Sequence, residues 1–145
     1  MNLPEYVTKE EVRRVCAELG IRDWSTLVSP KVLLVEAQRI LEIVNAPKFP
    51  IAPEVFKEAL EVELEHGTMY PDANVTNNHP ILTGKIVLAH LHEMLDYYER
   101  LEVAELEGDL VKYLRVGNLS KVDAKLRALA QARLTLSQIE AKELG

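Results

Sequence analysis

The sequence predicts an all-α protein, a compact helical bundle of about five helices with a long C-terminal helix, built as a single domain over residues 1–145. Three observations predict it. Apolar residues recur three and four positions apart through most of the chain, the spacing of one helix face. Start and stop residues bracket those segments: a capping box, prolines in first turns, glycines after last turns. No segment alternates apolar and polar residues as a strand would. With 48% hydrophobic and 28% charged residues, the 145-residue chain is long enough for a core and has a globular composition.

Thr8 with Glu11 three positions on is a capping box, and Gly20 suits the position just past a helix end, so a first helix is expected over about 8–19. It would bury Val12, Val15, Cys16 and Leu19, with Cys16 as a small core residue. Ser29-Pro30 reads as an N-cap and first-turn proline opening a second helix that runs to Val44. Its main stripe is Leu33, Leu34, Ala37, Ile40, Leu41 and Val44, with Val32, Val35 and Ile43 on the other side; so much apolar girth predicts a central helix. Pro47, Pro50 and Pro53 break the chain before a third helix that ends at Gly67. Residues 67–80 are turn formers throughout, and a loop of that length in a compact domain is more often functional than merely connecting. A fourth helix is expected from Pro80 to Glu107, stopped by Gly108, followed by a short helical stretch over 109–116 and a turn at Gly117-Asn118. Ser120 with Asp123 is expected to cap the final helix, residues 119–143. Its apolar stripe is narrow: Leu119, Val122, Leu126, Leu129, Ala132, Leu136 and Ile139. At 1.5 Å per residue this helix is about 36 Å long, longer than a domain of this size is expected to cover. The spare seam predicts a homo-oligomer or a protein partner.

The formal charge of −6 argues against generic affinity for nucleic acid or anionic membrane, which needs basic patches. One cysteine cannot form an internal disulfide and suits a reducing compartment. Met-Asn-Leu-Pro-Glu-Tyr at the N-terminus lacks a basic, apolar signal region, and no apolar run approaches membrane-spanning length. The expected location is cytoplasmic.

The chemistry-bearing residues are Glu63-x-x-His66 on the third helix and His90-x-x-Glu93 on the fourth. Residues three apart share a helix face. On a wheel of 54–66, Glu63 and His66 fall amid Val55, Phe56, Ala59, Leu60 and Val62, while Glu54, Glu58, Glu61 and Glu65 take the solvated side. His90 shares a face with Ile86, Met94, Tyr97 and Leu101, and Glu93 sits at its edge. Ionised carboxylates are costly to bury without partners. Two carboxylates and two imidazoles pointing into one core therefore predict one divalent ion per chain, Zn, Fe or Mn, on ligands of mixed N and O type. A bundle-type di-iron site wants four carboxylates, and only two face inward here. The alternative is a metal-free polar network in which each imidazole hydrogen-bonds a carboxylate.

Tyr97, one turn beyond Glu93, is a candidate to orient a carboxylate from behind, whereas Tyr98 reads as packing. His92 and Asp96 are expected on the solvated face with Lys85 and Glu99. His79, before Pro80, reads as a helix-entry residue. Asp72-x-Asn74-x-Thr76 alternates oxygen ligands as a calcium loop does, but lacks the later glycine and closing glutamate.

Glu63-Leu-Glu-His-Gly67, Asn74-Val-Thr76 and Gly84-Lys-Ile-Val-Leu-Ala-His-Leu-His-Glu-Met-Leu-Asp-Tyr-Tyr98 together resemble the signature of a small, functionally uncharacterised domain family of bacterial and viral genomes. The matching stretch is about a quarter of the chain. A frequent acidic residue of the family's loop stands here as Asn78 or His79. The resemblance implies a real site in this region and no established reaction.

Three functional readings follow from these residues. The first is a metal-binding all-α protein with a mononuclear site at Glu63, His66, His90 and Glu93, its catalytic role open. The second is a phage or viral structural or assembly protein, located in a virion, in which the cluster is metal-free. The third is an all-α nucleotide pyrophosphohydrolase holding Mg on Glu58-x-x-Glu61 and Glu93-x-x-Asp96, although Glu58 and Glu61 are expected on the solvated face.

Overall fold

The computed structural model describes residues 6–45 and 49–144, apart from the side chain of Glu143; the expected break at Pro47 and the first five residues of the N-terminal segment lie outside the described residues. The protein is all-α. Among the described residues there are six α-helices and no strand: α1 (Lys9–Leu19), α2 (Leu34–Val44), α3 (Pro53–Met69), α4 (Pro80–Glu93), α5 (Tyr97–Arg115) and α6 (Leu119–Leu144), with single 3₁₀ turns at Trp24–Thr26 and Pro71–Ala73. They form two compact units, residues 1–90 and 91–145.

In the first unit, α1 has the expected ends. The Thr8 hydroxyl accepts from the Glu11 N–H at 3.2 Å, and Gly20 closes the helix with φ of 63°. Val12, Val15 and Cys16 are buried, and α1 packs on the turn that carries the buried Trp24, whose backbone N–H donates to Cys16 Sγ at 3.4 Å. Burial pushes the Cys16 thiol up, so it is a core group with little thiolate to react.

α2 starts at Leu34, later than Ser29-Pro30 predicts, because the preceding backbone is held by carboxylates rather than by a helical turn. The Val32 N–H donates to Glu61 Oε1 at 2.9 Å. The Glu36 carboxylate, 1% exposed, accepts from the Leu33 N–H at 2.9 Å and from the Arg22 backbone N–H and guanidinium at 3.1 and 2.6 Å. Glu36 thus supplies the reach-back half of a capping box from the third helical position. Burial alone would raise its pKa; the bonds from Arg22 and Leu33 outweigh that and hold it low.

α2 is one-sided, not the central helix expected. It buries Ala37, Ile40, Leu41 and Val44 while Leu34, Val35 and Ile43 are exposed. It packs against α3, which begins at Pro53, buries Phe56, Ala59, Leu60 and Leu64, and runs two residues past Gly67. Glu61, expected in solvent, is largely covered by its bonds to Val32 and to Lys57 Nζ at 2.8 Å. Burial raises its pKa, and those partners more than reverse the effect.

In the second unit, the helix expected to run unbroken to Glu107 is interrupted at 94–96, and Gly108 does not end it. Asp96, expected in solvent, is 4% exposed and accepts from Arg100 Nε and Nη2 at 3.0 and 2.6 Å. Arg100 also reaches Glu140 at 2.8 Å, tying the first turn of α5 to the far end of α6. A wheel drawn through the interruption assigns every later residue the wrong phase, which is why Asp96 was misplaced. α5 crosses Gly108 because Val103, Leu106 and Leu110 pack with Leu129 and Ala132 of α6 on both sides of it. Gly117 (φ 67°) turns the chain, and Asn118, not Ser120, caps α6 by accepting from the Lys121 N–H at 3.2 Å. Leu129 of the expected seam packs within its own chain, whereas Leu126 is exposed. No described helix is long and apolar enough to cross a membrane.

Candidate functional site

Glu63 lies on the buried α3 stripe, one turn from Ala59 and Leu60, and its side chain is 15% exposed. His90, on α4 and 30% exposed, meets it with Nδ1 at 3.1 Å from Glu63 Oε1. An ionised carboxylate only accepts, so the imidazole Nδ1–H is the donor and the tautomer follows from the pair. His66 is exposed. The wheel misjudged it because Val55 and Val62 were counted in the stripe; the observed stripe is Phe56, Ala59, Leu60 and Leu64, which puts His66 on its margin.

The loop after α3 folds back onto the helix end. Asn77 and Asn78 adopt φ of 48° and 61°, the left-handed region that asparagine tolerates better than most side chains. Asn74 Nδ2 donates to the Gly67 carbonyl at 3.2 Å and to Asn78 Oδ1 at 2.9 Å. Gly67 is what admits them: a Cβ there would meet Asn74 Nδ2 at 2.7 Å and overlap Asn78 Oδ1. Asn77 Nδ2 donates to the Val7 carbonyl at 2.6 Å, fixing the loop to the chain before α1. His79 is the helix-entry residue expected. Its Nδ1 accepts from the Ile81 and Leu82 N–H groups at 3.2 and 3.4 Å, which an imidazolium cannot do, and burial lowers its pKa in the same direction.

These contacts leave a cleft of about 140 Å³ lined by Glu63, His66, Gly67, Asn74, Thr76 and Thr83, among others. Its lining offers a carboxylate, an imidazole, amides and hydroxyls, and no Lys or Arg. An anion such as a phosphate finds no counter-charge there; a small cation does.

The four expected ligands are therefore placed as follows. Glu63 and His90 are paired, His66 lines the same cleft as Glu63, and Glu93 is the exposed last residue of α4 and belongs to the second unit. Among the described residues no three His, Cys, Asp or Glu side chains gather as the ligands of one ion. Tyr97 opens α5 with its ring edge-on to Tyr98, centroids 5.1 Å apart. Asp72 is exposed and Asn74 is turned to Gly67, so the alternating loop does not form a calcium cradle. Glu61 and Asp96, half of the magnesium set considered for a pyrophosphohydrolase, are held by Lys57 and Arg100. The sequence reading missed Asn78 and Thr83 as cleft residues. The signal for Asn78 was the Asn77-Asn78 pair just before a helix-opening His-Pro, a sequence suited to a left-handed reversal.

A family model described as a protein of unknown function (DUF5661) matches residues 12–107. No curated protein and no solved structure matches the chain.

Proposed function

From the premise that the chain belongs to the DUF5661 family, whose description names no activity, we propose that it binds a small cation in the cleft at the end of α3. One observation carries this reading: Glu63, hydrogen-bonded to His90, lines a cleft that holds this carboxylate and no Lys or Arg. The cation is a divalent metal ion or the ammonium head of a small organic amine. For a metal, Glu63 and His66 line the cleft as O and N donors, with His90 hydrogen-bonded to Glu63, a mixed set suited to one Zn, Fe or Mn per chain. Glu93, exposed in the second unit, is outside this reading. For an amine, Glu63 pairs with the charge while Asn74 and Thr76 offer oxygen acceptors. The reading assigns no reaction.

Thermal unfolding of chelator-stripped protein tests it, with added Zn²⁺ or Mn²⁺ in one arm and methylammonium in the other. A cation that binds only the folded chain raises stability by about 2.7 kcal/mol at a hundredfold excess over its dissociation constant. Glu63→Gln should abolish the shift in whichever arm responds. His66→Ala should abolish it in the metal arm alone. No shift in either arm, with no metal found by elemental analysis of untreated protein, would reduce Glu63–His90 to a structural hydrogen bond.

Assembly is favoured by a separate observation: Leu114, Leu119 and Leu126, around the turn between α5 and α6, are all more than half exposed.

A further inference from the structure

We propose that the face of α5 turned away from α6, from Gly108 to the following turn, binds an acidic amphipathic helix of a partner protein. The proposal rests on the assembly reading of that turn and names what its surface would hold. Gly108, Val111, Lys112 and Arg115 recur three and four positions apart and so share one helix face. Val103, Leu106 and Leu110 take the opposite face, packed with Leu129 and Ala132 of α6. The outer face carries a groove of about 450 Å³ lined by Gly108, Val111, Lys112, Arg115 and Val116. Its apolar part is open to solvent, with Val111 57% and Val116 72% exposed. A Cβ built on Gly108 would meet nothing within 4 Å, so the backbone of a second helix can approach closely there.

Charge selects the occupant. Among the described residues, the charged lining of the groove is Lys112 and Arg115, with no carboxylate. Lys112 and Lys121 both lie over the Tyr113 ring, 5.6 and 4.8 Å from its centroid, which positions the ammonium groups without neutralising them. Asp109, the carboxylate these lysines face, is already bonded to Lys125 Nζ at 2.6 Å. That bond holds the Asp109 carboxyl low, and Lys112 and Lys121 add to the same field. Even with Glu105 also facing Lys125, three lysines and the exposed Arg115 outnumber the carboxylates, and the face is cationic. A partner must therefore bring carboxylates to Lys112 and Arg115 and apolar side chains to Val111 and Val116, as an acidic amphipathic helix does. Gly108 to Val116 spans about 12 Å at 1.5 Å per residue, roughly two helical turns. An extended polyanion fits worse. Residues 91–108 hold six acidic side chains and one basic, so nucleic acid or an anionic membrane lying along α5 meets like charge before Gly108.

The test titrates the full chain into dye-labelled helical peptides of equal length and reads fluorescence anisotropy. One peptide carries leucines on one face flanked by glutamates, a second has lysine for glutamate, and a third has serine for leucine. The leucine–glutamate peptide should bind saturably, the lysine peptide should not bind, and the serine peptide should bind about tenfold more weakly or worse. Lys112→Glu combined with Arg115→Glu should weaken the first peptide by about tenfold or more and confer binding of the lysine peptide. A chain damaged in its fold would not gain a ligand in that way. Gly108→Leu fills the groove without a clash in the chain and should weaken the first peptide comparably, with helix content unchanged by circular dichroism. No saturable binding of the leucine–glutamate peptide at millimolar concentration overturns the proposal. So does binding indifferent to these substitutions, or tighter binding to phosphatidylserine–phosphatidylcholine vesicles or double-stranded DNA. Sedimentation equilibrium of the chain alone separates the two readings. Self-association without peptide binding keeps assembly and removes the acidic partner, whereas a monomer that binds no peptide removes both.

Discussion

A methyl group at position 67 should cost more than helix propensity returns. Alanine is normally favoured over glycine inside a helix by about 1 kcal/mol. Here the new Cβ would meet Asn74 and Asn78, two short side chains that already hold each other and the Gly67 carbonyl. Displacing them forfeits hydrogen bonds worth about 1 kcal/mol each. Gly67→Ala is therefore expected to destabilise the protein by about 1–2 kcal/mol in urea unfolding; a variant as stable as the wild type would show that the loop is not clipped to α3. His79 makes a pH prediction at the same scale. Its pKa is lowered in the folded protein by burial, so folding favours the neutral ring. The sign follows: its contribution is complete above the ordinary imidazole value of 6.5 and is lost as pH falls below it toward the lowered folded value. One such group changes stability by at most about 1.4 kcal/mol per pH unit. His79→Asn retains a capping side chain and cannot titrate, so its stability should fall less steeply than the wild type between pH 6.5 and the acid limb. Parallel curves would assign that slope to other groups.

At the scale of elements, two glycines in helices have opposite meanings. Gly67 is required by what lies against it, whereas nothing in the chain lies against Gly108. Gly108→Ala should consequently stabilise α5 by about 1 kcal/mol, read as a higher urea midpoint with unchanged slope; a loss of stability would mean that the bare backbone at 108 has a role within the chain. The helix ends divide in a similar way. Thr8 and Gly20 were legible because both cap α1 through bonds made within a few residues. The start of α6 at Leu119 was legible too, although Asn118 rather than Ser120 caps it; the start of α2 was not. Ser29-Pro30 is an adequate helix opening, but Glu61 holds the Val32 N–H from 29 positions away, and the Glu36 carboxylate that holds Leu33 is itself held by Arg22, 14 positions back. Such distant partners leave no local pattern. The break at 94–96 is another case: nothing nearby in the sequence is a strong helix breaker, and the bonds of buried Asp96 involve Arg100, which in turn reaches Glu140.

At the scale of the whole molecule, composition and periodicity sufficed for the all-α class, because helix formation is dominated by contacts three and four residues apart. The same local physics marked α3 and α4 as the carriers of the site and placed Glu63 and His90 on facing positions, and those two are paired. It could not separate Glu63 from His66, which share a turn of α3 but differ in burial. Nor could it show that Asn74 and Asn78 fold back on Gly67, since that depends on how the loop over 70–79 closes. The sequence by itself determined the helical class, the first helix with both caps, and the short list of side chains able to do chemistry. Only the tertiary structure decided which face of each helix is buried, which carboxylates are consumed by Arg22, Lys57 and Arg100, and which remain at the cleft. The physical reason is range: caps and faces are set within a turn or two, whereas burial and charge pairing are set by residues that only folding brings together.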